Sequence, residues 1–159
     1  MIQVGDRIPE ATVHEMNDGR PQAISSSELL GSGRTVLFAL PGAFTPTCSA
    51  AHLPGFVVRA DELRAKGVEQ IVCLSVNDAF VMDAWGREHN ADDRVRMIGD
   101  GNGDFSRALG LTFDASGAGL GERSQRYAMV VEDGVVRDLA VEEPGKFEVS
   151  SAEAVLARL

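Results

Sequence analysis

The chain has 159 residues, 44% of them hydrophobic and 25% charged, a composition typical of one soluble globular domain. With 15 Lys and Arg residues against 24 Asp and Glu residues, its formal net charge is -9, and no basic cluster indicates a nucleic-acid partner. Apolar runs such as residues 36–40 are far shorter than the roughly 20 residues that span a bilayer, and charges interrupt residues 1–15. We therefore predict a cytoplasmic protein that binds neither nucleic acid nor membrane.

The first predicted elements are a hairpin and two buried strands. Residues 11–15 and 21–24 flank Asn17-Asp18-Gly19, a turn sequence that tolerates positive φ angles and so predicts an N-terminal β-hairpin. Residues 35–40 and 70–76 are apolar at successive positions and favour β structure. Such continuous apolar runs are typical of strands that are buried on both faces of a sheet.

Helices are predicted between and after these strands. The first covers residues 47–66, and Pro54-Gly55 should kink or break it partway. A second begins at a cap at residue 77 or 78 and continues to about residue 90, and residues 96–98 form a short strand. This alternation of strands and helices predicts parallel strands with right-handed crossovers.

The C-terminal part is predicted to contain a second hairpin and a final helix. Residues 127–131 and 135–141 are joined through Asp133-Gly134, and Ser150 with Glu153 forms a capping box. A βαβ unit followed by a hairpin and a helix is the order of a thioredoxin-like fold. We predict an α/β protein with a mixed central sheet flanked by helices and an added N-terminal hairpin. No repeat or linker divides the chain, so residues 1–159 should form one domain.

Cys48 stands where the first buried strand gives way to a helix. Thr45 and Pro46 suit the N-cap and first helical positions, which places Cys48 at the third position of the first turn. Unpaired N–H groups and the positive end of the helix dipole favour a thiolate there. The alternative is that Cys48 is one more small buried apolar residue, and placement alone leaves both interpretations open.

The sequence around Cys48 carries a resemblance to a known family. The matching segments are LFALPGAFTPTCS at 37–49, HLPGF at 52–56, CLSVNDAF at 73–80, Trp85-Gly86 and RYAMVVEDG at 126–134. Together they resemble the type II, or peroxiredoxin-five, branch of the peroxiredoxins over nearly the whole chain. The resemblance implies a thiol peroxidase on a thioredoxin-like fold, with Cys48 as the peroxidatic cysteine.

The resemblance also implies roles for three further residues. Pro41 and Thr45 complete the loop of the peroxidatic cysteine, and Arg126 lies over its thiolate. A hydroxyl can both donate and accept hydrogen bonds, and a guanidinium keeps its proton, so both suit an O–O bond that breaks with developing negative charge. Without the resemblance, Pro41 reads as a strand terminator and Arg126 as a solvated charge. The implied reaction reduces hydrogen peroxide and alkyl hydroperoxides in antioxidant defence, without a metal or an organic cofactor.

His52 follows Cys48 by four residues and shares its helical face. A Cys/His hydrolase is one alternative, but no residue to orient the histidine is evident. A zinc site of Cys48, His52 and Cys73 is another, but no second close pair of ligands supports it. The resemblance instead makes His52 a hydrogen-bonding neighbour of the site. The acidic loop 100–104 lacks the glycine and glutamate of a calcium loop and is predicted to be a turn.

The chain has two cysteines, Cys48 and Cys73, and none just ahead of the final helix, where some members of the branch carry a resolving cysteine. Cys73 lies in a predicted buried strand and should be inert. We therefore expect glutathione, with or without glutaredoxin, to reduce the sulfenic acid, with thioredoxin as the second choice. A redox sensor or chaperone-like protein that uses Cys48 is the competing interpretation.

The resemblance further implies a homodimer formed through the face around the loop of Cys48. Three aromatic residues could contribute to this face or belong to the core: Phe44, Phe80 and Trp85. Arg123, three residues before Arg126, could assist the site or lie at the surface.

Overall fold

The computed structural model describes residues 1–159. Its nine strands are β1 (Thr12–Asn17), β2 (Arg20–Ser25), β3 (Arg34–Ala39), β4 (Gln70–Ser75), β5 (Arg96–Gly99), β6 (Thr112–Asp114), β7 (Glu122–Ser124), β8 (Tyr127–Glu132) and β9 (Val135–Val141). Its six α-helices are α1 (Ser26–Leu30), α2 (Leu53–Val58), α3 (Ala60–Ala65), α4 (Ala79–Glu88), α5 (Asp104–Leu109) and α6 (Ala152–Arg158). A π-helix occupies Cys48–His52, and a short 3-10 helix occupies Ser116–Ala118.

Seven strands form one sheet in the order β2-β1-β5-β4-β3-β8-β9, and β6 pairs with β7 in a separate two-stranded sheet. Strands β3, β4 and β5 run parallel, while β8 is antiparallel to β3. Parallel neighbours require crossover connections, which the helices after β3 and β4 provide. The result is the mixed sheet with an added N-terminal hairpin that the order of elements predicted.

Alternate residues of the central strands contribute to two apolar clusters. In β3, Val36 and Phe38 belong to the cluster that also contains Cys48, whereas Leu37 and Ala39 belong to the other. All of these side chains are fully buried. Since successive side chains of a strand point to opposite faces, the sheet has a core on each side, as the continuous apolar runs predicted.

The predicted hairpin turns and the predicted cap of the helix after β4 form at the residues that the sequence indicates. Asp18 and Gly19 have positive φ angles in the first hairpin, and Asp133 and Gly134 have them in the second. Helix α4 begins after Asp78, whose side chain accepts a hydrogen bond from the Val81 N–H. These features depend on neighbouring residues alone, which is why the sequence predicts them well.

The predicted helix over residues 47–66 forms in three pieces. Proline lacks an N–H group and clashes with the carbonyl four residues earlier in a regular α-helix. Directly before Pro54 the chain makes a wider π turn, in which the Leu53 N–H donates to the Cys48 carbonyl, and this turn accommodates the proline. The predicted disturbance at Pro54-Gly55 thus takes the form of this π turn, and the chain does not break there. The interruption lies at Arg59, between α2 and α3.

One further prediction needs correction at a helix start, and one helix was not predicted. Ser151, and not Ser150, caps α6 by accepting the Ala154 N–H. The turn predicted at 100–104 leads directly into α5, which sequence analysis missed. The buried carboxylate of Asp100 accepts the N–H groups of Phe105 at 3.2 Å and Ser106 at 2.8 Å, so the helix is capped by a residue outside its first turn. No helix has both the length and the apolar character needed to cross a bilayer.

Candidate active site

The loop between β3 and the π turn places Cys48. The Thr45 carbonyl accepts the Ser49 N–H at 2.9 Å, so helical bonding begins where the sequence predicts. The Thr45 hydroxyl, however, donates to the Gly42 carbonyl at 2.7 Å and does not accept an N–H group of the first turn. Asn77, after β4, accepts the Ala43 N–H at 3.0 Å. The loop is thereby tied to itself and to the neighbouring strand.

Arg126 reaches Cys48 because of the pairing between β3 and β8. Ala39 at the end of β3 pairs with Tyr127 at the start of β8, so the residue before Tyr127 lies beside the loop that follows β3. The Arg126 Nη2 group donates to the Cys48 sulfur at 3.1 Å. Cys48 is completely buried. A fixed cation that donates to a buried sulfur favours its thiolate.

His52 holds the other side of the Arg126 guanidinium. Its Nδ1 atom lies 2.7 Å from Arg126 Nη1, and its Nε2 atom lies 3.0 Å from the Ser150 carbonyl oxygen. Burial, followed by the charge of Arg126, lowers the pKa of His52 to about 3, so the ring is neutral at physiological pH. A carbonyl can only accept, so the ring proton is on Nε2 and Nδ1 accepts from Arg126. His52 thus orients Arg126 and is not a general base.

Comparisons with known proteins identify the family to which the chain belongs. A family model described as Redoxin matches residues 3–156. Peroxiredoxin-2E, chloroplastic, of Arabidopsis thaliana is 48% identical over 99% of this chain and 69% of its own length, and Peroxiredoxin-2B of that plant is 44% identical over 99% and 98%. The structure of reduced Prx3 of Vibrio vulnificus in complex with H2O2 has 51% identity, a TM-score of 0.95 and 99% coverage of both chains.

The chain belongs to the peroxiredoxin family. Its relatives of the peroxiredoxin-2 type identify the type II branch, and the shared architecture confirms the predicted thioredoxin-like fold. As a peroxiredoxin it is a thiol peroxidase, an antioxidant oxidoreductase. No group of three or more His, Cys, Asp or Glu side chains is arranged to hold a metal ion, so the zinc alternative from Cys48, His52 and Cys73 has no ligand set.

Arg123 and Pro41, two other residues considered in the sequence, contact each other at the Cys48 loop. Arg123 donates from Nη1 to the Pro41 carbonyl at 3.1 Å and from Nε to the Leu120 carbonyl at 3.0 Å, so it anchors the Cys48 loop. A Cβ atom on Gly42 would lie 2.7 Å from Arg123 Nη1, so a side chain at this position would displace the guanidinium. The structure thus brings Pro41, Thr45 and Arg126 to the surroundings of Cys48, while their catalytic roles stay predictions.

Sequence analysis missed the segment after β9, which closes one side of this site. Phe147 packs its ring 4.9 Å from that of His52, between centroids, and Arg126 Cζ lies 5.7 Å from the Phe147 centroid. Ser150 supplies the carbonyl that binds His52, and the buried Glu142 binds Ser150 in turn. No spacing in the sequence links this segment to Cys48, because the two are nearly one hundred residues apart.

A cavity of about 340 Å³ has Arg126 in its lining. Pro41, Thr47 and Phe113 line it together with the segment after β9. A larger depression of about 600 Å³ lies beside the N-terminus and contains no residue of the Cys48 site. Access to the sulfur is therefore expected from the side of Pro41 and Arg126.

The three aromatic residues considered for a contact face separate into two groups. Trp85 is fully buried, and its Nε1 group donates to the Ser49 hydroxyl at 3.0 Å, so of the two predicted possibilities it belongs to the core. Phe44 is 54% exposed and Phe80 is 58% exposed. Phe44, at the tip of the Cys48 loop, has a φ angle of 63°, an unfavourable conformation for an aromatic residue.

Proposed function

We propose that this peroxiredoxin reduces hydrogen peroxide and small organic hydroperoxides with Cys48 as the attacking residue. The thiolate sulfur forms a bond with one peroxide oxygen while the O–O bond breaks. The bonded oxygen stays as a sulfenic acid, and the departing oxygen takes a proton and leaves as water or an alcohol. The hydrogen bond of 3.1 Å from Arg126 to the Cys48 sulfur is the observation that carries this proposal.

Arg126 and Thr45 have complementary parts in the proposed step. Arg126 carries a permanent charge and several donors, so it stabilises both the thiolate and the negative charge on the departing oxygen. The Thr45 proton is engaged by the Gly42 carbonyl, which leaves the hydroxyl oxygen as an acceptor for the O–H group of a peroxide. The complex of the Vibrio vulnificus relative with H2O2 supports the choice of substrate.

Turnover measurements test this function. Purified protein with peroxide and an excess of a thiol should consume many equivalents of peroxide, and a sulfenic-acid trap should label Cys48 when the thiol is omitted. The Cys48→Ser variant should show neither result. One equivalent of oxidation without turnover, under every thiol supplied, would contradict the peroxidase and favour the redox sensor.

We also propose that an external thiol completes the cycle, with glutathione and glutaredoxin preferred to thioredoxin. The glutathione thiolate displaces the hydroxyl of the sulfenic acid as water to give a mixed disulfide, and a second thiol releases Cys48. Within the chain the alternative is Cys73, whose sulfur is fully buried. Burial raises the pKa of Cys73 well above its usual value, which keeps it a poorly nucleophilic thiol.

Mass spectrometry distinguishes these routes. Protein oxidised with one equivalent of peroxide in the presence of glutathione should gain one glutathione at Cys48 and none at Cys73. The Cys73→Ser variant should give the same product, with activity within about threefold of the parent protein. A Cys48–Cys73 disulfide as the main product, with thioredoxin as the better reductant, would overturn this part of the proposal.

A homodimer is the third part of the proposal, supported by the exposed rings of Phe44 and Phe80. Sedimentation of the reduced protein should give the mass of a dimer at micromolar concentration. Replacement of Phe44 by Ser should weaken the dimer, whereas Val4→Ser, which removes an exposed apolar side chain near the N-terminus, should not if the contact face lies at the Cys48 loop. A monomer across this range would contradict the dimer.

A further inference from the structure

Glu142 is a buried acidic residue that follows β9 directly and has an unusual number of donors. It is 7% exposed. Its carboxylate accepts hydrogen bonds of 2.7 to 3.0 Å from the N–H groups of Glu148, Val149 and Ser150 and from the Ser150 hydroxyl. Burial would raise the pKa of Glu142, but the bonds from Ser150, Glu148 and Val149 together lower it, so the group is ionised.

The same residue is fixed to the sheet beside Arg126. The backbone N–H of Glu142 donates to the Arg126 carbonyl at 2.9 Å, where β9 pairs with β8. The carboxylate therefore ties an irregular segment to the strand end that carries the guanidinium. Most of the intervening segment, residues 143–146, is exposed to solvent. The Glu142 carboxylate supplies the acceptor that orders residues 148–150, at the end of this segment farther from β9.

A continuous series of hydrogen bonds connects this carboxylate to the sulfur. Ser150, held by Glu142, accepts the His52 Nε2–H through its carbonyl at 3.0 Å. His52 Nδ1 accepts from Arg126 Nη1 at 2.7 Å, and Arg126 Nη2 donates to Cys48 at 3.1 Å. Each bond orients the next group, as outer residues orient the ligands of a reactive centre.

We propose that Glu142 is a positioning residue for Cys48: by binding residues 148–150 it sets the Ser150 carbonyl, which orients His52 and through it the guanidinium of Arg126. This inference rests on the proposed function of Cys48. Phe147 reinforces the arrangement because the clamped segment presses its ring against His52 and beneath Arg126. Glu142 itself does not touch the sulfur or the peroxide.

The sign of one measurement separates positioning from a direct charge effect. Removing a negative charge near a thiol favours its thiolate, so a direct effect of Glu142 would move the Cys48 titration to lower pH when Glu142 is neutralised. Loss of the correct placement of Arg126 acts in the opposite direction, because the thiolate loses its cation. A movement to higher pH is therefore the result expected from positioning.

The experiment titrates the thiolate of Cys48 by its ultraviolet absorbance in a Cys73→Ser background. Glu142→Met removes both acceptor oxygens at similar volume, and Glu142→Gln retains one acceptor oxygen. We expect the titration midpoint to rise in both variants, more in Glu142→Met than in Glu142→Gln. In Glu142→Met, kcat/KM for peroxide should fall by about tenfold to a hundredfold. Glu148→Gln removes an exposed carboxylate from the same segment and should change neither. If Glu142→Met does not fold, the titration of Glu142→Gln decides the question.

A double-mutant comparison excludes a general loosening of the structure. In an Arg126→Ala background, Glu142→Gln should no longer raise the titration midpoint, because the group that it positions is absent. An equal rise with and without Arg126, or a fall to lower pH, would overturn the positioning role. The titration does not depend on turnover. If Cys48→Ser kept its peroxidase activity, the proposed function would fail while the role of Glu142 would still be decided by these midpoints.

Discussion

Cys48 and Cys73 have the same exposure and opposite chemical surroundings. Both side chains are fully buried, and both belong to the same apolar cluster. The Cys48 sulfur accepts a hydrogen bond from Arg126, whereas Cys73 lies in β4 opposite Phe38 and has no hydrogen-bond partner at its sulfur. Burial, and then the neighbouring Cys48, raise the pKa of Cys73. The two cysteines therefore differ not in burial but in the charged donor at the sulfur, and we expect their reactivity to follow that donor.

The largest expected effect on activity comes from replacing the Cys48 sulfur by oxygen. The same replacement at Cys73 serves as the comparison. Cys48→Ser should lower peroxide reduction by about a thousandfold or more, because a hydroxyl is a far weaker nucleophile than a thiolate. Cys73→Ser should retain activity within about threefold, although a hydroxyl buried among apolar groups costs about 1–3 kcal/mol of stability. Steady-state kinetics and urea unfolding measure the two quantities. A folded but inactive Cys73→Ser protein would remove the distinction between the cysteines.

The second prediction removes the cation that distinguishes the two sites. Arg126→Ala should lower kcat/KM by about a hundredfold and move the Cys48 titration to higher pH, since the thiolate and the departing oxygen both lose their donor. Arg107→Ala is the matched control, because Arg107 is an exposed arginine paired with Asp104 and Glu122. Unchanged kinetics and titration in Arg126→Ala would exclude this arginine from the site.

The third prediction concerns pH, because only the Cys48 site depends on a neutral histidine. The pKa of His52 is about 3 in the fold and 6.5 when unperturbed, so the unfolded chain binds the extra proton between these values. The free energy of unfolding should therefore fall on acidification in this window, by up to about 1.4 kcal/mol for each pH unit. Toward the lower end, Glu142, whose pKa is lowered, also loses its contribution as it becomes protonated.

Urea unfolding at a series of pH values checks this dependence. His52→Gln removes the titrating group and should flatten the pH profile over the same window, even if the variant is less stable at every pH. Equal slopes for the parent and His52→Gln would show that other groups cause the loss of stability in acid.

The smallest expected effect is on the face of the sheet away from both cysteines. Tyr127 adjoins Arg126 in sequence, but it belongs to the other apolar cluster, and its buried hydroxyl has no hydrogen-bond partner. Tyr127→Phe should leave kcat/KM unchanged and raise the free energy of unfolding by about 1 kcal/mol, because an unsatisfied polar group is removed. A loss of stability would indicate that the hydroxyl has a partner, such as a bound water molecule.

The sequence alone predicted the features that depend on adjacent residues. Asp18-Gly19 and Asp133-Gly134 make turns because few other residues adopt their φ angles, and Asp78 caps α4 within one turn. Continuous apolar strands predicted a sheet covered on both faces. Cys48 at a helix start was visible in the same way, and the resemblance of its surroundings to peroxiredoxins identified the family before any contact was known.

Tertiary structure decided which groups meet the sulfur. Arg126 lies 78 positions from Cys48, and His52 lies 98 positions from the Ser150 carbonyl that fixes its tautomer. The strand pairing of Ala39 with Tyr127 brings Arg126 into place, and the carboxylate of Glu142 does so for Ser150 and Phe147. Periodicity and spacing report only on contacts within a helix, strand or turn. Contacts across the sheet depend on register and on how each loop returns to it, and these arise only when the whole chain is packed.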